Sequence, residues 1–114
     1  MSRDHQLFLE DIRMLCEKIV RYTKGMTFDQ FLADEKTFDA VLRNLTVIGE
    51  AVKHLPMDVR ERHPQVERRE IAGFRDIAVH EYFGIDEEIL WDIVQNEVPS
   101  LLSKLPEIIT TEER

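Results

Sequence analysis

A chain of 114 residues, 43% hydrophobic and 33% charged, has room for one packed domain but not for two independent cores, and it is no disordered tail. Its formal net charge of −8 at pH 7 argues against loose, non-specific nucleic-acid binding, which relies on a basic surface. No apolar run approaches the roughly 20 residues that span a bilayer, and a single cysteine excludes an internal disulfide.

The N-terminal stretch "MSRDHQLFLED" lacks the basic start and long apolar region of a secretory signal; with the lone cysteine, this predicts a reducing cytoplasm. Residues 4 to 24 place Phe8, Ile12, Leu15, Cys16, Ile19 and Val20 at helical spacing, with charged residues between them. Cys16 falls on that apolar stripe, so core packing is expected of it rather than nucleophilic chemistry. Gly25 supplies a C-terminal stop. Thr27 and Gln30 have capping-box spacing, which predicts a short helix or turn. Asp34 can cap the next helix, with Glu35 favourably placed at the positive end of its dipole. Phe38, Val41, Leu42, Leu45, Ile48, Val52 and Leu55 form that helix's stripe, and Pro56 ends it. Within it, Gly49 and Ala51 permit close approach of another helix, and Glu50 is expected to face solvent in preference to a cleft.

The segment "PMDVRERHP" reads as a short helical turn in a connector between Pro56 and Pro64. A helix over residues 67 to 83 follows, closed by Gly84. Asp86 caps the last long helix, whose buried face is Leu90, Ile93, Val94, Val98, Leu101, Leu102 and Leu105. Pro99 should kink or divide that helix, and the tail from about residue 107 should be frayed. His5, His54 and His63 show no metal-ligand spacing and are expected at the surface or in connectors, so no metal or other cofactor is implied. Arg60, Arg62, Arg68, Arg69 and Arg75 cluster in the middle third, where an anionic ligand is expected if there is one. Nothing alternates with period two. The pattern predicts a single domain over residues 1–114, all-α, an antiparallel bundle of four to five helices. A homodimer is consistent with that size, though not demanded by it.

The stretch "GFRDIAVHEYFG" concentrates the chemistry. At about 100° per residue, Arg75 and Tyr82 lie within roughly 20° of each other, two turns apart on one face. Asp76 and His80 form an i,i+4 pair, so the carboxylate can orient the imidazole. Arg75 and His80 are about 140° apart and do not stack on one helix. A two-fold axis beside this helix would instead set Arg75 of one chain against His80 of the other. Such a composite site suits attack of an RNA 2′-hydroxyl on the adjacent phosphodiester. His80 would take or deliver the proton, and Arg75 would stabilise charge on the phosphate oxygens. Residue types alone leave the alternative open, and even prefer it: a solvated or interface face carrying the same four side chains.

The order Arg, four residues, His, one residue, Tyr in "RDIAVHEY" resembles the HEPN superfamily and, within it, the HepT toxin family. The similarity extends through "VLRNLTVIGEAVKHLP", "REIAGFRD" and "YFGIDEEILWDIV", most of the chain. The resemblance implies a HEPN-like, homodimeric all-α bundle whose two motifs meet in a cleft. It implies a metal-independent ribonuclease acting on RNA, tRNA among the candidates, with Arg75 and His80 as the catalytic pair. Asp76 stands where a polar residue, commonly Asn, supports the site; the Asp is a mild departure that adds negative charge. Tyr82 corresponds to the acceptor for AMP that an MNT-type nucleotidyltransferase antitoxin transfers from ATP, although an aromatic packed at a helix end reads equally well there. A different class of function is also consistent with the acidic charge: a non-catalytic helical module that docks and regulates a nucleotidyltransferase. A plain structural bundle is the third.

Overall fold

The computed structural model describes residues 3–64, 66, 73 and 86–113. Among these every regular element is helical: α1 (Arg3–Thr23), α2 (Phe28–Ala33), α3 (Glu35–His54), α4 (Met57–Arg62), α5 (Glu87–Asp92), a π-helical turn (Ile93–Glu97) and α6 (Val98–Glu112). The all-helical class expected from the apolar periodicity holds for the described residues.

The local signals act where their chemistry places them. Gly25 ends α1 with φ +76°, a left-handed conformation that costs Gly little. Thr27 and Gln30 form a capping box: the Thr27 hydroxyl accepts from the Gln30 amide at 3.1 Å, and the Gln30 side chain accepts from the Thr27 amide at 3.0 Å. Asp34 closes α2 and opens α3, its carboxylate accepting from the Thr37 amide at 3.1 Å. That bond holds the Asp34 carboxyl below its usual range. The last carbonyls of α3 are met from α4, where Arg60 Nη2 donates to Val52 O at 2.9 Å and Lys53 O at 3.0 Å.

Helix α1 packs against α3 and α6, and α2 lies on α3. Both long neighbours of α1 run against it. His54 near the end of α3 stacks on Phe8 near the start of α1, and Gln6 donates to the carbonyl of Glu112 at the end of α6. Leu9, Ile12, Cys16, Ile19, Val41, Leu45, Ile48, Val52, Leu90, Val94, Val98, Leu101 and Leu105 fill the space between. Short α2 is pinned by Phe31, which is fully buried between the rings of Phe38 and Trp91. Cys16 is buried, as its place on the stripe requires, and Glu50 is exposed beside Lys53. No helix among the described residues is long and apolar enough to cross a membrane.

Three expectations are corrected. The tail is not frayed from residue 107: α6 continues through Pro106 to Glu112, because Ile108, Ile109 and Glu112 extend the buried stripe and packing outweighs one missing amide. Pro99 does not divide its helix. The preceding turn widens to a π turn, with the Val98 amide donating five residues back to Ile93 O, and so absorbs the proline near the start of α6. His5, expected at the surface, is buried on α1; His63 lies in the connector after α4 as expected but is buried there, and His54 is exposed.

Candidate functional site

Arg75, Asp76, His80 and Tyr82 lie outside the described residues. The described positions that bracket them are Val66 and Gly73 before the motif and Asp86 after it. Val66 follows the turn at His63 and packs against the core. Asp86 caps α5, its carboxylate accepting from the Glu88 and Ile89 amides at 3.0 and 3.2 Å. Gly73, two positions before Arg75, is helical and half-buried against the π turn. A Cβ placed on it would fall 2.5 Å from Glu97 Oε2 and 3.5 Å from Ile93 Cδ1, so a larger residue there would have to displace the end of the Glu97 side chain. Glu97 is itself buried, at 8% exposure, on the stripe that carries Ile93, Val94 and Val98.

A second buried acid lies at the far end of the same stripe. Glu112 is 2% exposed and receives bonds from α4 and the residue after it. Arg62 donates to both carboxylate oxygens, from Nε at 3.0 Å to Oε2 and from Nη2 to Oε1. His63 Nε2 is 2.7 Å from Oε2; an ionised carboxylate can only accept, so this nitrogen carries the proton. His5 Nε2, on α1, is 3.5 Å from Oε1, within ion-pair range when the imidazole is charged. The Arg62 bonds are the largest influence on Glu112, with the His63 bond adding to them. Together they outweigh burial and hold its carboxyl down to about 2. Arg62 is shifted the other way, upward, by Glu112 first and then by Asp58 on its solvent side.

This cluster joins the two termini of the described chain to the connector that leads toward the motif. It is a clamp: the oxygens of Glu112 are already engaged by a forked guanidinium, and no group of three or more His, Cys, Asp or Glu poised for a metal ion occurs among the described residues. An apolar cavity of about 50 Å³ lies beside it, lined by residues that include Leu9, Val59, His63, Val66 and Leu105. Neither buried acid was foreseen, although a signal existed. Glu97 and Glu112 both fall on the apolar register of the last helix, as His5 does on that of α1, and a charge at a core position asks for a partner.

Comparison with known proteins supplies what the described residues do not. The family described as "Ribonuclease HepT-like" matches residues 12–108 of the chain. A protein of Methanocaldococcus jannaschii provisionally named an RNase is 50% identical over 108 residues, covering 95% of this chain and 89% of its own length. One of Thermococcus cleftensis, provisionally named ribonuclease HepT, is 43% identical over 108 residues, covering 95% and 98%. Another provisionally named RNase, from Caldanaerobacter subterraneus subsp. tengcongensis, is 42% identical over 106 residues, covering 93% and 95%. No solved structure matches the chain.

Proposed function

The chain belongs to the HepT-like ribonuclease family, and on that premise we propose that it is the toxin of a HepT/MNT-type toxin–antitoxin pair, a cytoplasmic metal-independent endoribonuclease with tRNA its first candidate substrate. The observation that carries this reading is a family match that runs through "RDIAVHEY", joined to half-identity with a relative named as an RNase.

In this reading two copies of the chain form one cleft. His80 accepts the proton of the RNA 2′-hydroxyl or delivers one to the leaving 5′-oxygen. Arg75 holds the phosphate and stabilises the charge that develops on its non-bridging oxygens. The products are a 2′,3′-cyclic phosphate and a 5′-hydroxyl. Asp76 supports the site by orienting His80. Tyr82 is the off-switch: an MNT-type nucleotidyltransferase transfers AMP from ATP to its phenol oxygen and releases pyrophosphate. The added bulk and negative charge then close the cleft to RNA. The net charge of −8 favours one other reading, a non-catalytic module that docks the nucleotidyltransferase.

One experiment separates these. End-labelled tRNA is incubated with the purified wild-type chain, with Arg75→Ala and with His80→Ala, before and after treatment with the partner nucleotidyltransferase and ATP. Cleavage by wild type alone is expected, and it should disappear as the intact mass rises by AMP on Tyr82. Equal background cleavage by wild type and His80→Ala would refute the enzymatic reading. A stable complex with the nucleotidyltransferase and no RNA product would support the docking module, and AMP mapped to any other residue would remove the switch.

A further inference from the structure

We propose that α4 and His63 form a latched lid: the segment from Met57 to His63 lifts from the bundle as a unit while the rest stays folded, and its bonds to Glu112 set how often it does so. Little of its apolar surface is buried. Six residues are too few for a helix to persist alone, and Pro56 at its start offers no side-chain cap. Val59 is the one buried side chain of α4, whereas Met57, Asp58, Glu61 and Arg62 are exposed. Even Val59 borders a void. The apolar cavity of about 50 Å³ is lined by Val59, Arg60 and His63 from this segment and, among others, by Leu9, Val52 and Leu105 from the bundle. An empty space supplies no partner atoms, so the dispersion contacts beneath the segment are incomplete.

Among the described residues, what fixes the segment is polar. Arg60 donates to the last carbonyls of α3 at 2.9 and 3.0 Å. Arg62 Nε and His63 Nε2 close on Glu112 at the end of α6, at 3.0 and 2.7 Å. Pro56 and Pro64 bracket the segment, and neither has an amide N–H with which to tie it down. Lifting it therefore exchanges bonds to protein for bonds to water and exposes little apolar surface, which is the signature of a local opening. It also opens the cavity to solvent and releases Glu112. The lid stands or falls independently of the ribonuclease reading.

Amide hydrogen exchange of the full chain, followed by NMR over a series of sub-denaturing urea concentrations, measures the opening. The amides of Val59, Arg60 and His63 each donate within or at the edge of the segment. In wild type they should be protected about 100-fold less than those of Ile12, Ile19 and Leu45 in the core of α1 and α3, with a shallower urea dependence, because that slope follows the surface exposed. Glu112→Gln should raise the opening of the segment about 10- to 100-fold, the loss expected for bonds that have given up their charge, and keep the shallow slope. Arg62→Gln cuts the same latch from the exposed side and should act in the same direction, so it decides the matter if Glu112→Gln does not fold. Protection and urea slope in the segment equal to those of α1 and α3 would overturn the lid, since it would then open only with the whole bundle. Segment exchange unchanged by the folded variants would overturn the latch, since the opening would then leave Glu112 engaged.

Discussion

Glu112 shows what one misplaced charge does to a small core. On an apolar stripe an acid would ordinarily be excluded, yet here it is buried and held ionised by Arg62 and His63. Replacing it with Gln removes the charge from bonds to a guanidinium and an imidazole, which are worth about 1.5–3 kcal/mol each when charged. Urea unfolding at pH 7 should therefore show Glu112→Gln less stable than wild type by about that amount. The pH dependence has a definite sign. A carboxyl lowered from 4.5 to about 2 contributes stability that is complete above 4.5 and lost as pH falls through about 2. The gap between wild type and Glu112→Gln should thus narrow from pH 4.5 downward. A gap that stays constant to pH 2 would mean that the ion pairs do not set it.

Among the elements, α2 depends most on its cap. Six residues are too few to form a stable helix alone, and it is held by the Thr27–Gln30 box at one end and by Phe31 under Trp91. Thr27→Ala should cost about 1 kcal/mol in thermal or urea unfolding, and Thr27→Ser should cost much less. The last helix makes the opposite point. The sequence predicts a kink or division at Pro99 and a frayed tail from about residue 107, but a widened turn precedes Pro99 and the helix runs on through the exposed Pro106, because the buried stripe on either side holds the axis. Proline removes one hydrogen bond and adds one clash; the packing of the buried residues on either side decides whether the helix ends there.

At the scale of the whole molecule, the proposed composite site makes a sharp demand. If Arg75 of one chain works with His80 of its mate, then mixing Arg75→Ala with His80→Ala restores one intact site in each mixed dimer. Random exchange makes half the dimers mixed, so the mixture should regain about a quarter of wild-type cleavage, although each variant alone is inactive. A mixture as inactive as its components would place both residues of a site on one chain, against the sequence expectation that a helix would set them about 140° apart. Sedimentation of the same mixture checks that dimers form and exchange.

Much of this was legible in the sequence. Helix class, the caps at Thr27, Asp34 and Asp86, the stop at Gly25 and the buried place of Cys16 all depend on residues within a turn or two of one another. The family was legible too, from the spacing in "RDIAVHEY" and its flanks. What only the tertiary structure decided is where distant charges meet. His5, Arg62, His63 and Glu112 are strung from one end of the chain to the other, and Gly73 meets Glu97 across an interval of more than twenty residues. Local propensity carries no information about such pairs, because a buried charge is stabilised by its partner and the partner is chosen by packing, not by sequence distance.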